Sequence, residues 1–502
     1  MPRVVHVAPL ASLPTRASVF DYAWEGDTQP KIGMVISIPF RKSEAYGVVT
    51  GIAASSRFKL RSVAITEAFQ LLYELDVAWL QKMSEVVGIN LGTLVQHALP
   101  PLSKRTIALL HRTSVKNRAA RAGKLQYVWY SQESSIIRAI HQIVVAAGKP
   151  TGIIAPSHDD AARYVRELTE LGVPAVHHFL PESAPKRRSL WLDWTNDKVA
   201  PVIIGTQLPA WLPERASAQF LLIEPTNAAH TQREGTPYTH RELLEYRRTL
   251  LGDNIFILAH SPATEDLDRV TSIPLSSHWP ILIDRTTEDP KLRQSFVSPS
   301  LEHNIQEAQK ILFFVPHLRE ATHHICKDCG SLYRSEDLSE SPECKKCSGI
   351  RFSKLGFGAE TVARELRAEN LLDDTADIVL LDAEKYKAEK DTLFSAPATK
   401  QFIIATAPLF DRLPLSYFDL IIDLSPDFEM IHPEFNTEEL LWHRLRAMSS
   451  RLPLGWAGGW FVQSRTPNLL GWRVRDFEGF SAWWNAEKTL RKRFKQKPFL
   501  EG

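Results

Sequence analysis

The stretch TGIIAPSHDDAARYVRELTELG, residues 151–172, indicates the fold class of the surrounding sequence. Its first six residues are a short apolar run typical of a buried strand, and the remainder spaces its apolar residues along one face of a helix that ends at Gly172. Further short apolar runs follow at PVIIGT, 201–206, and FLLIEP, 220–225. Strands that alternate with helices in this way predict a parallel α/β sheet.

A second series of the same kind begins near Lys310. Its apolar runs are ILFFVP at 311–316, ADIVLLD at 376–382, KQFIIAT at 400–406 and FDLIIDLS at 418–425. The segment AETVARELRAE, which lies among these runs, has helical spacing. The sequence therefore predicts two parallel α/β lobes in tandem.

The first hundred residues have a different pattern. The β-branched runs MVISI, 34–38, and AYGVVTGI, 45–52, predict a hairpin in a small β-rich barrel. Helical spacing then extends from Leu71 to Leu99 and ends at Pro100-Pro101, because paired prolines cannot continue a helix. The predicted organisation is a β-rich domain at 1–102, a basic linker at 103–126, α/β lobes at 127–270 and 271–466, a cysteine insertion at 324–350 within the second lobe, and a basic C-terminal segment at 467–502.

The charges of the chain are nearly balanced. Its 502 residues include 60 basic and 58 acidic ones, so the net charge of +2 does not indicate a partner. Locally, residues 103–149 are strongly basic, with Glu133 as their one acid. The sequence has no run of about 18 apolar residues and no signal-peptide pattern, which predicts a cytoplasmic protein with no membrane partner.

The four cysteines of the chain all lie in one short segment. Cys326, Cys329, Cys344 and Cys347 have the spacing C-x2-C-x14-C-x2-C. This spacing brings two knuckles together so that four thiolates can surround one tetrahedral Zn²⁺. Such a closed site supports structure and not catalysis, and the alternative is a set of four unrelated thiols.

An ATP-driven motor made of two α/β lobes needs a glycine-rich phosphate loop, and the sequence has no G-x-x-x-x-G-K-[ST]. The first helix of the lobe is instead preceded by YSQESS, 130–135, where Glu133 would repel a triphosphate. After the run FLLI, the sequence Glu224-Pro225-Thr226-Asn227 offers one carboxylate, where a motor needs two acids for Mg²⁺ and water. We therefore predict no catalytic residues, and ATP is a doubtful cofactor.

Several short motifs, taken in order, resemble a known family. They are HVAP at 6–9, FDY at 20–22, IPF at 38–40, GVV at 47–49, ALPP at 98–101, VIIGT at 202–206, WLP at 211–213, PYTHRE at 237–242, GFGAE at 356–360, and parts of the tail from Asp476 to Phe499. Along nearly its whole length the chain thereby resembles the family of PriA, the primosomal protein N′ of bacterial replication restart. The resemblance implies an N-terminal 3′-end-binding domain, helicase-like lobes and a zinc-binding insertion.

The resemblance also implies which residues bind DNA. Phe20, Asp21 and Arg61 match the family's pocket for the 3′ end of a nascent leading strand. There an aromatic ring stacks on the terminal base, a carboxylate accepts a hydrogen bond from the 3′-OH, and a cation holds phosphate. Arg41 stands where the family has a small residue. For Phe20 and Tyr22, a place in the barrel core is the open alternative.

The departures from the family concern mainly its motor. The family carries eight cysteines for two zinc ions, and this chain has a single set of four. The phosphate loop, the acidic box and the arginine-rich motif near 447–450 are degraded, and residues 102–126 leave no room for the family's winged-helix domain. The sequence therefore looks like a family member with degenerate helicase motifs.

The expected function is recognition of abandoned or stalled replication forks and recruitment of replication proteins, without helicase activity. Expected partners are forked and single-stranded DNA, together with other primosome and replication proteins, for a monomer associated with the nucleoid. Lys116, Arg118 and Arg121 of the basic linker are predicted to bind DNA. Two alternatives stay open: an active ATP-dependent 3′-5′ DNA helicase with a divergent nucleotide site, and a zinc-ribbon scaffold that binds only proteins.

Overall fold

The structure is a computed structural model that describes most of the chain. The described residues are 3–11, 13, 18–25, 28–58, 60–64, 68–105, 107–110, 122–179, 184–233, 235–289, 295–318, 323–334, 343–355, 357–369, 371, 376–394, 400–429, 437–466 and 476–494. They form two compact units. The first reaches to Tyr130 and resumes at Ser134–Asp266, and the second starts at Leu267 and includes Ser131–Glu133. The finer domain boundaries given above stay predictions.

The first unit begins with a curled, six-stranded sheet. Its strands are β1 Arg3–Pro9, β2 Phe20–Glu25, β3 Met34–Phe40, β4 Ser43–Ala53, β5 Arg61–Ala64 and β6 Ala68–Gln70. They lie in the order β5-β2-β1-β4-β3-β6. Strands β2 and β5 pair in parallel, and the other described neighbours pair antiparallel. The predicted hairpin is β3–β4, so this prediction is confirmed.

The two faces of the curled sheet contact different cores. The inner face, as we call it, encloses a small cluster of Val5, Val7, Tyr22, Trp24, Ile36, Ile38, Val49 and Val63. The outer face carries Ala8, Val35 and Val48, which pack in a larger core with the helices Glu74–Val87 and Leu91–Ala98. Asn90 begins the second helix by accepting a 2.8 Å hydrogen bond from the backbone N–H of Gly92.

The rest of the first unit is a parallel α/β sheet. Its strands are β7 Leu125–Trp129, β8 Thr151–Ile154, β9 Val176–His178, β10 Val202–Gly205, β11 Gln219–Ile223 and β14 Asn254–Ala259, with a short hairpin of β12 Thr231–Gln232 and β13 Tyr238–Thr239. The parallel strands lie in the order β7-β14-β11-β8-β10-β9. The helices are Ile136–Ala147, His158–Glu170, Ala184–Thr195 and His240–Leu250. Strands β8, β10 and β11 are buried throughout, which explains their continuous apolar sequences.

The second unit contains another parallel sheet. Its strands are β15 Ile281–Asp284, β16 Lys310–Val315, β20 Asp377–Leu381, β21 Gln401–Thr406, β22 Leu420–Asp423 and β23 Gly459–Ser464, in the order β15-β23-β22-β16-β21-β20. The helices are Glu302–Glu307, Ala359–Ala368, Ala383–Leu393, Pro426–Glu429, Thr437–Arg451 and Phe477–Arg493. An antiparallel insert, which we call the ribbon, consists of β17 His323–Cys326, β18 Leu332–Arg334 and β19 Phe352–Leu355.

Short 3₁₀ helices join several of these elements. They are Ile107–Leu109, Glu133–Ser135, Leu208–Trp211, Ala228–His230, Thr264–Arg269, Pro299–Leu301, Ala407–Leu409 and Leu415–Tyr417. Within the described residues, no helix combines the length and apolar character needed to cross a bilayer. The predicted fold class is confirmed: a small β-rich N-terminal part, two parallel α/β sheets, and an insert that groups the four cysteines.

Candidate functional site

Asp21 lies on the outer face of the curled sheet, where side chains from three segments converge. His6 pairs with Asp21 across β1 and β2, and its Nδ1 atom lies 2.7 Å from Oδ1 of Asp21. Ser56, in the loop after β4, donates a 2.5 Å hydrogen bond from Oγ to Oδ2. Gly51 leaves space for the histidine, since a Cβ there would lie 2.9 Å from Cδ2 of His6. Both oxygens of Asp21 are thus held in fixed positions.

The surroundings of Asp21 favour its ionised form. Partial burial raises the pKa of Asp21, but hydrogen bonds from Ser56 and His6 and the charges of His6 and Arg57 outweigh this, so the pKa lies below its ordinary value. An ionised carboxylate has about four lone-pair positions. Asp21 therefore has the capacity to accept a further hydrogen bond from a ligand and would repel an anion.

Phe20 and Arg61 lie on the inner face, opposite Asp21. Phe20 packs against the inner core, with its ring centroid 5.6 Å from that of Phe40 in an edge-on arrangement. Arg61 pairs with Tyr22 in the parallel β2–β5 register. Successive residues of a strand point to opposite faces. The structure therefore places Phe20 and Arg61 on one face of the sheet and Asp21 on the other, and the common role of these residues in DNA binding stays a prediction.

The loop after β4, whose Ser56 binds Asp21, also carries an aromatic residue, Phe58. The sequence prediction missed this residue. The backbone N–H of Phe58 donates a 3.1 Å hydrogen bond to Oγ of Ser56, the same atom that binds Asp21. Arg57 places its guanidinium carbon 4.9 Å from the centroid of the Phe58 ring. The sequence signal for this site was an aromatic residue between two cations, Arg57-Phe58-Lys59, in an otherwise polar loop.

The other residues predicted to bind DNA are in the basic linker. Lys116, Arg118 and Arg121 lie outside the described residues. Their contribution to DNA binding stays a prediction.

The four cysteines converge in the ribbon, as their spacing predicts. The Sγ atoms of Cys326, Cys329, Cys344 and Cys347 all lie within 4.8 Å of one another. Two separations are 3.6 Å, between Cys326 and Cys347, and 3.4 Å, between Cys329 and Cys344. A tetrahedral site with metal–sulfur bonds of about 2.3 Å needs sulfur atoms roughly 3.8 Å apart. The four thiols therefore fit one metal ion.

The backbone around the cysteines forms two similar turns. The N–H of Gly330 donates to the carbonyl of Cys326, and the N–H of Ser348 donates to that of Cys344, both at 2.8 Å. Gly330 and Ser348 have φ values of 74° and 55°, the left-handed region that such turns require. The hydroxyl of Tyr333 lies 3.1 Å from Sγ of Cys344 and can donate to a thiolate.

Neighbouring strands β7, β11 and β14 end where a nucleotide site would be expected in the first α/β sheet. Tyr130 follows β7, Glu224 follows β11 and His260 follows β14, and these three residues interact. The hydroxyl of Tyr130 and the backbone N–H of His260 donate to Oε1 of Glu224, the latter at 3.0 Å, and Nδ1 of His260 contacts Oε2. Glu224 has a left-handed φ of 53°. Oε1 of Glu224 is therefore hydrogen-bonded twice within the protein, and Oε2 lies within ion-pair distance of His260.

Two further buried histidines adjoin this network. Nε2 of His230 donates to the carbonyl of Ile223 at 2.8 Å, and the Nδ1 atoms of His230 and His240 are 3.1 Å apart. Burial lowers the pKa of His230 to about 4, although the bond to Ile223 and the charge of Glu224 oppose this. Burial and the neighbouring His230 lower the pKa of His240 to about 3. Both rings are neutral near pH 7.

In the second unit, two arginines of helix Thr437–Arg451 bind groups of the same unit. Arg444 donates to Oδ2 of Asp423 at 2.7 Å, and both side chains are buried. Arg446 donates to the carbonyl of Pro274 at 2.9 Å. These contacts place two cations of the predicted degenerate motif region in the interior of the unit.

Comparison with known proteins assigns the N-terminal region. The family model "3'DNA-binding domain (3'BD)" of PriA matches residues 9–100. This region is therefore similar to the 3′ DNA-binding domain of PriA, and the resemblance to that family is confirmed over these residues. No curated protein matches the chain significantly.

Solved structures give weaker likenesses. The NS3-like helicase from Alongshan virus is 12% identical, with coverage of 75% of this chain and 82% of that one and a TM-score of 0.39. Dbp5 of S. cerevisiae, bound to RNA and ADP BeF3, is 12% identical, with coverage of 84% and 92% and a TM-score of 0.39. RecG bound to a three-way DNA junction is 10% identical, with coverage of 85% and 54% and a TM-score of 0.40.

Proposed function

We propose that this chain, which carries a 3′ DNA-binding domain of the PriA type, recognises abandoned or stalled replication forks and recruits replication proteins without hydrolysing ATP. The observation that carries the proposal is the ionised Asp21 in the matched domain, held by His6 and Ser56. A carboxylate in this state can accept a hydrogen bond from a terminal 3′-OH, and it repels a phosphate at the same place. The domain would thereby recognise a strand end that a polymerase can extend.

Forks that present a leading-strand 3′-OH at the junction should bind more tightly than forks that end in a 3′-phosphate. We expect Asp21→Ala to remove this difference, because both the acceptor and the negative charge are lost. Glu25→Ala is the matched control, since Glu25 is an exposed acid on the same strand and the same face. Fluorescence anisotropy with each of the two forks and each of the three proteins, the unmodified protein, Asp21→Ala and Glu25→Ala, measures the effect. Equal affinity of the unmodified protein for both ends would contradict end capture.

The basic linker provides a separate test of general phosphate attraction. Neutralising Lys116, Arg118 and Arg121 should weaken binding to all forks and reduce the slope of affinity against salt concentration. The preference for a 3′-OH should persist in this variant, because Asp21 is unchanged. A protein-only scaffold is favoured if neither the linker substitutions nor the form of the 3′ end alters fork binding.

The absence of ATP hydrolysis is proposed because Glu224 is bound to Tyr130 and His260. A single carboxylate that already accepts from Tyr130 and His260 offers Mg²⁺ and water fewer acceptor positions than the two acids of a motor, and the sequence has no lysine in a phosphate loop. The other candidate function, an ATP-dependent helicase with a divergent nucleotide site, requires ATP hydrolysis at this site.

We expect no increase in ATP hydrolysis when forked DNA is added, measured by phosphate release. Glu224→Gln, which preserves the shape of the side chain, should leave this background rate unchanged. DNA-dependent hydrolysis that disappears in a folded Glu224→Gln protein, with its fold checked by circular dichroism, would instead support the helicase.

The metal of the ribbon is proposed to be one Zn²⁺ per chain. Four thiolates in tetrahedral positions are the ligand set that structural zinc prefers, and such a set has no open position for substrate. The ion would therefore stabilise the ribbon and take no part in catalysis.

A further inference from the structure

The loop after β4 presents an aromatic ring to solvent beside the proposed site for the strand end. Phe58 is 61% exposed, although its backbone is hydrogen-bonded to Ser56. Single exposed apolar residues are ordinary on protein surfaces. Here, however, the ring is next to a cation, and Ser56 joins its backbone to the Asp21 carboxylate. Ring, cation and carboxylate thus belong to one connected group.

The chemistry of this group matches the parts of a terminal nucleotide. A nucleobase stacks on an exposed aromatic ring, and Arg57 against that ring can strengthen stacking and attract phosphate. Asp21 repels phosphate and accepts from a hydroxyl, so the free 3′-OH would face it. Phe20 is less suited to hold this base, because it packs against the inner core on the other face of the sheet.

We propose that Phe58, with Arg57 against its ring, is the platform on which the unpaired terminal base of the captured 3′ strand stacks. This inference rests on the proposed function and specifies how the same site holds its ligand. Its occupant is the last nucleotide of a DNA strand with a free 3′-OH. The remaining nucleotides need no contact with this loop.

The test compares two forks that differ only in the last nucleotide of the leading strand, which either carries a base or is abasic. Phe58→Ala should weaken binding to the fork with the base by about 5-fold to 150-fold, the range for loss of one stacked base. It should leave binding to the abasic fork nearly unchanged. Phe58→Trp should restore the affinity for the base. Phe494→Ala, at a ring that is 67% exposed in the other unit, is the control and should affect neither fork.

The outcomes separate this inference from the proposed function. If the unmodified protein prefers a 3′-OH but Phe58→Ala weakens both forks equally or neither, the platform is wrong and end capture stands. If the Phe58 effect depends on the base but no preference for a 3′-OH is found, the platform stands and capture by Asp21 is wrong. A loss of affinity in Phe20→Leu that is confined to the fork with the base, with no such loss in Phe58→Ala, would assign the platform to Phe20.

Discussion

Replacement of Cys344 by serine should release the zinc ion and unfold the ribbon. Structural zinc contributes roughly 10–16 kcal/mol of apparent free energy in small modules, and serine cannot replace a thiolate ligand. Among the described residues of the ribbon, Tyr333 and Phe352 form an aromatic pair with ring centroids 5.6 Å apart. We therefore expect one zinc ion per unmodified chain and none in Cys344→Ser.

Metal content can be measured by mass spectrometry with an inductively coupled plasma, and unfolding by hydrogen exchange of strand His323–Cys326. Glu343→Ser is the matched control, because Glu343 is the exposed neighbour of Cys344 and has no thiol. It should retain the zinc and the slow exchange. Two zinc ions per chain, none in reduced protein, or full zinc content in Cys344→Ser would each contradict the single four-cysteine site.

The parallel sheets were predictable because their strands are buried on both faces. Such strands have continuous apolar sequences, and FLLI and LIID correspond to β11 and β22. The grouping of the cysteines was equally predictable, since each pair lies within one short turn and the spacing between pairs allows the turns to meet. In both cases the information is local in sequence.

The C-terminal segment shows where local patterns were insufficient. Residues 467–502 were predicted only as a basic C-terminal segment, and within it Phe477–Arg493 form a helix. Phe480 stacks on Trp442 at a centroid distance of 3.6 Å with an interplanar angle of 3°. Phe480 and Trp484 are both buried and are four residues apart, so one apolar helical face was present in the sequence. Trp442, which packs on this face, however, belongs to a helix that is separate in sequence, Thr437–Arg451.

The proposed DNA site shows a different limit. The resemblance matched Phe20 and Asp21 as a pair, but strand alternation places them on opposite faces of the sheet. The partners of Asp21 come from β1 and from a loop 35 residues away. Motif matching does not contain these tertiary contacts, and it therefore missed Ser56, Arg57 and Phe58.

Acidification should destabilise the first α/β sheet through His230 and His240. Their pKa values, about 4 and about 3, lie below the value near 6.5 expected in an unfolded chain. Between pH 6.5 and the pKa of each folded histidine, the unfolded chain binds more protons than the folded chain. The free energy of unfolding therefore falls as the pH drops below about 6.5. Between pH 7 and pH 5, each histidine should cost about 2 kcal/mol of stability, at 1.36 kcal/mol per pH unit once the unfolded form is protonated.

His230 and His240 are sensitive to acid because each ring makes its hydrogen bonds in the neutral form. The carbonyl of Ile223 can only accept, so Nε2 of His230 carries hydrogen, and Nδ1 of neutral His230 accepts from Nδ1 of His240. Protonation of His230 would place two N–H groups against each other in a buried site. His240→Gln should therefore remove about 2 kcal/mol of the loss between pH 7 and pH 5, whatever its effect at pH 7. His158→Gln, at an exposed first position of helix His158–Glu170, should leave the pH dependence unchanged. Pulsed hydrogen exchange in urea, followed on strand Gln219–Ile223, measures these differences. The same pH slope in His240→Gln and in the unmodified protein would show that other groups cause the acid sensitivity.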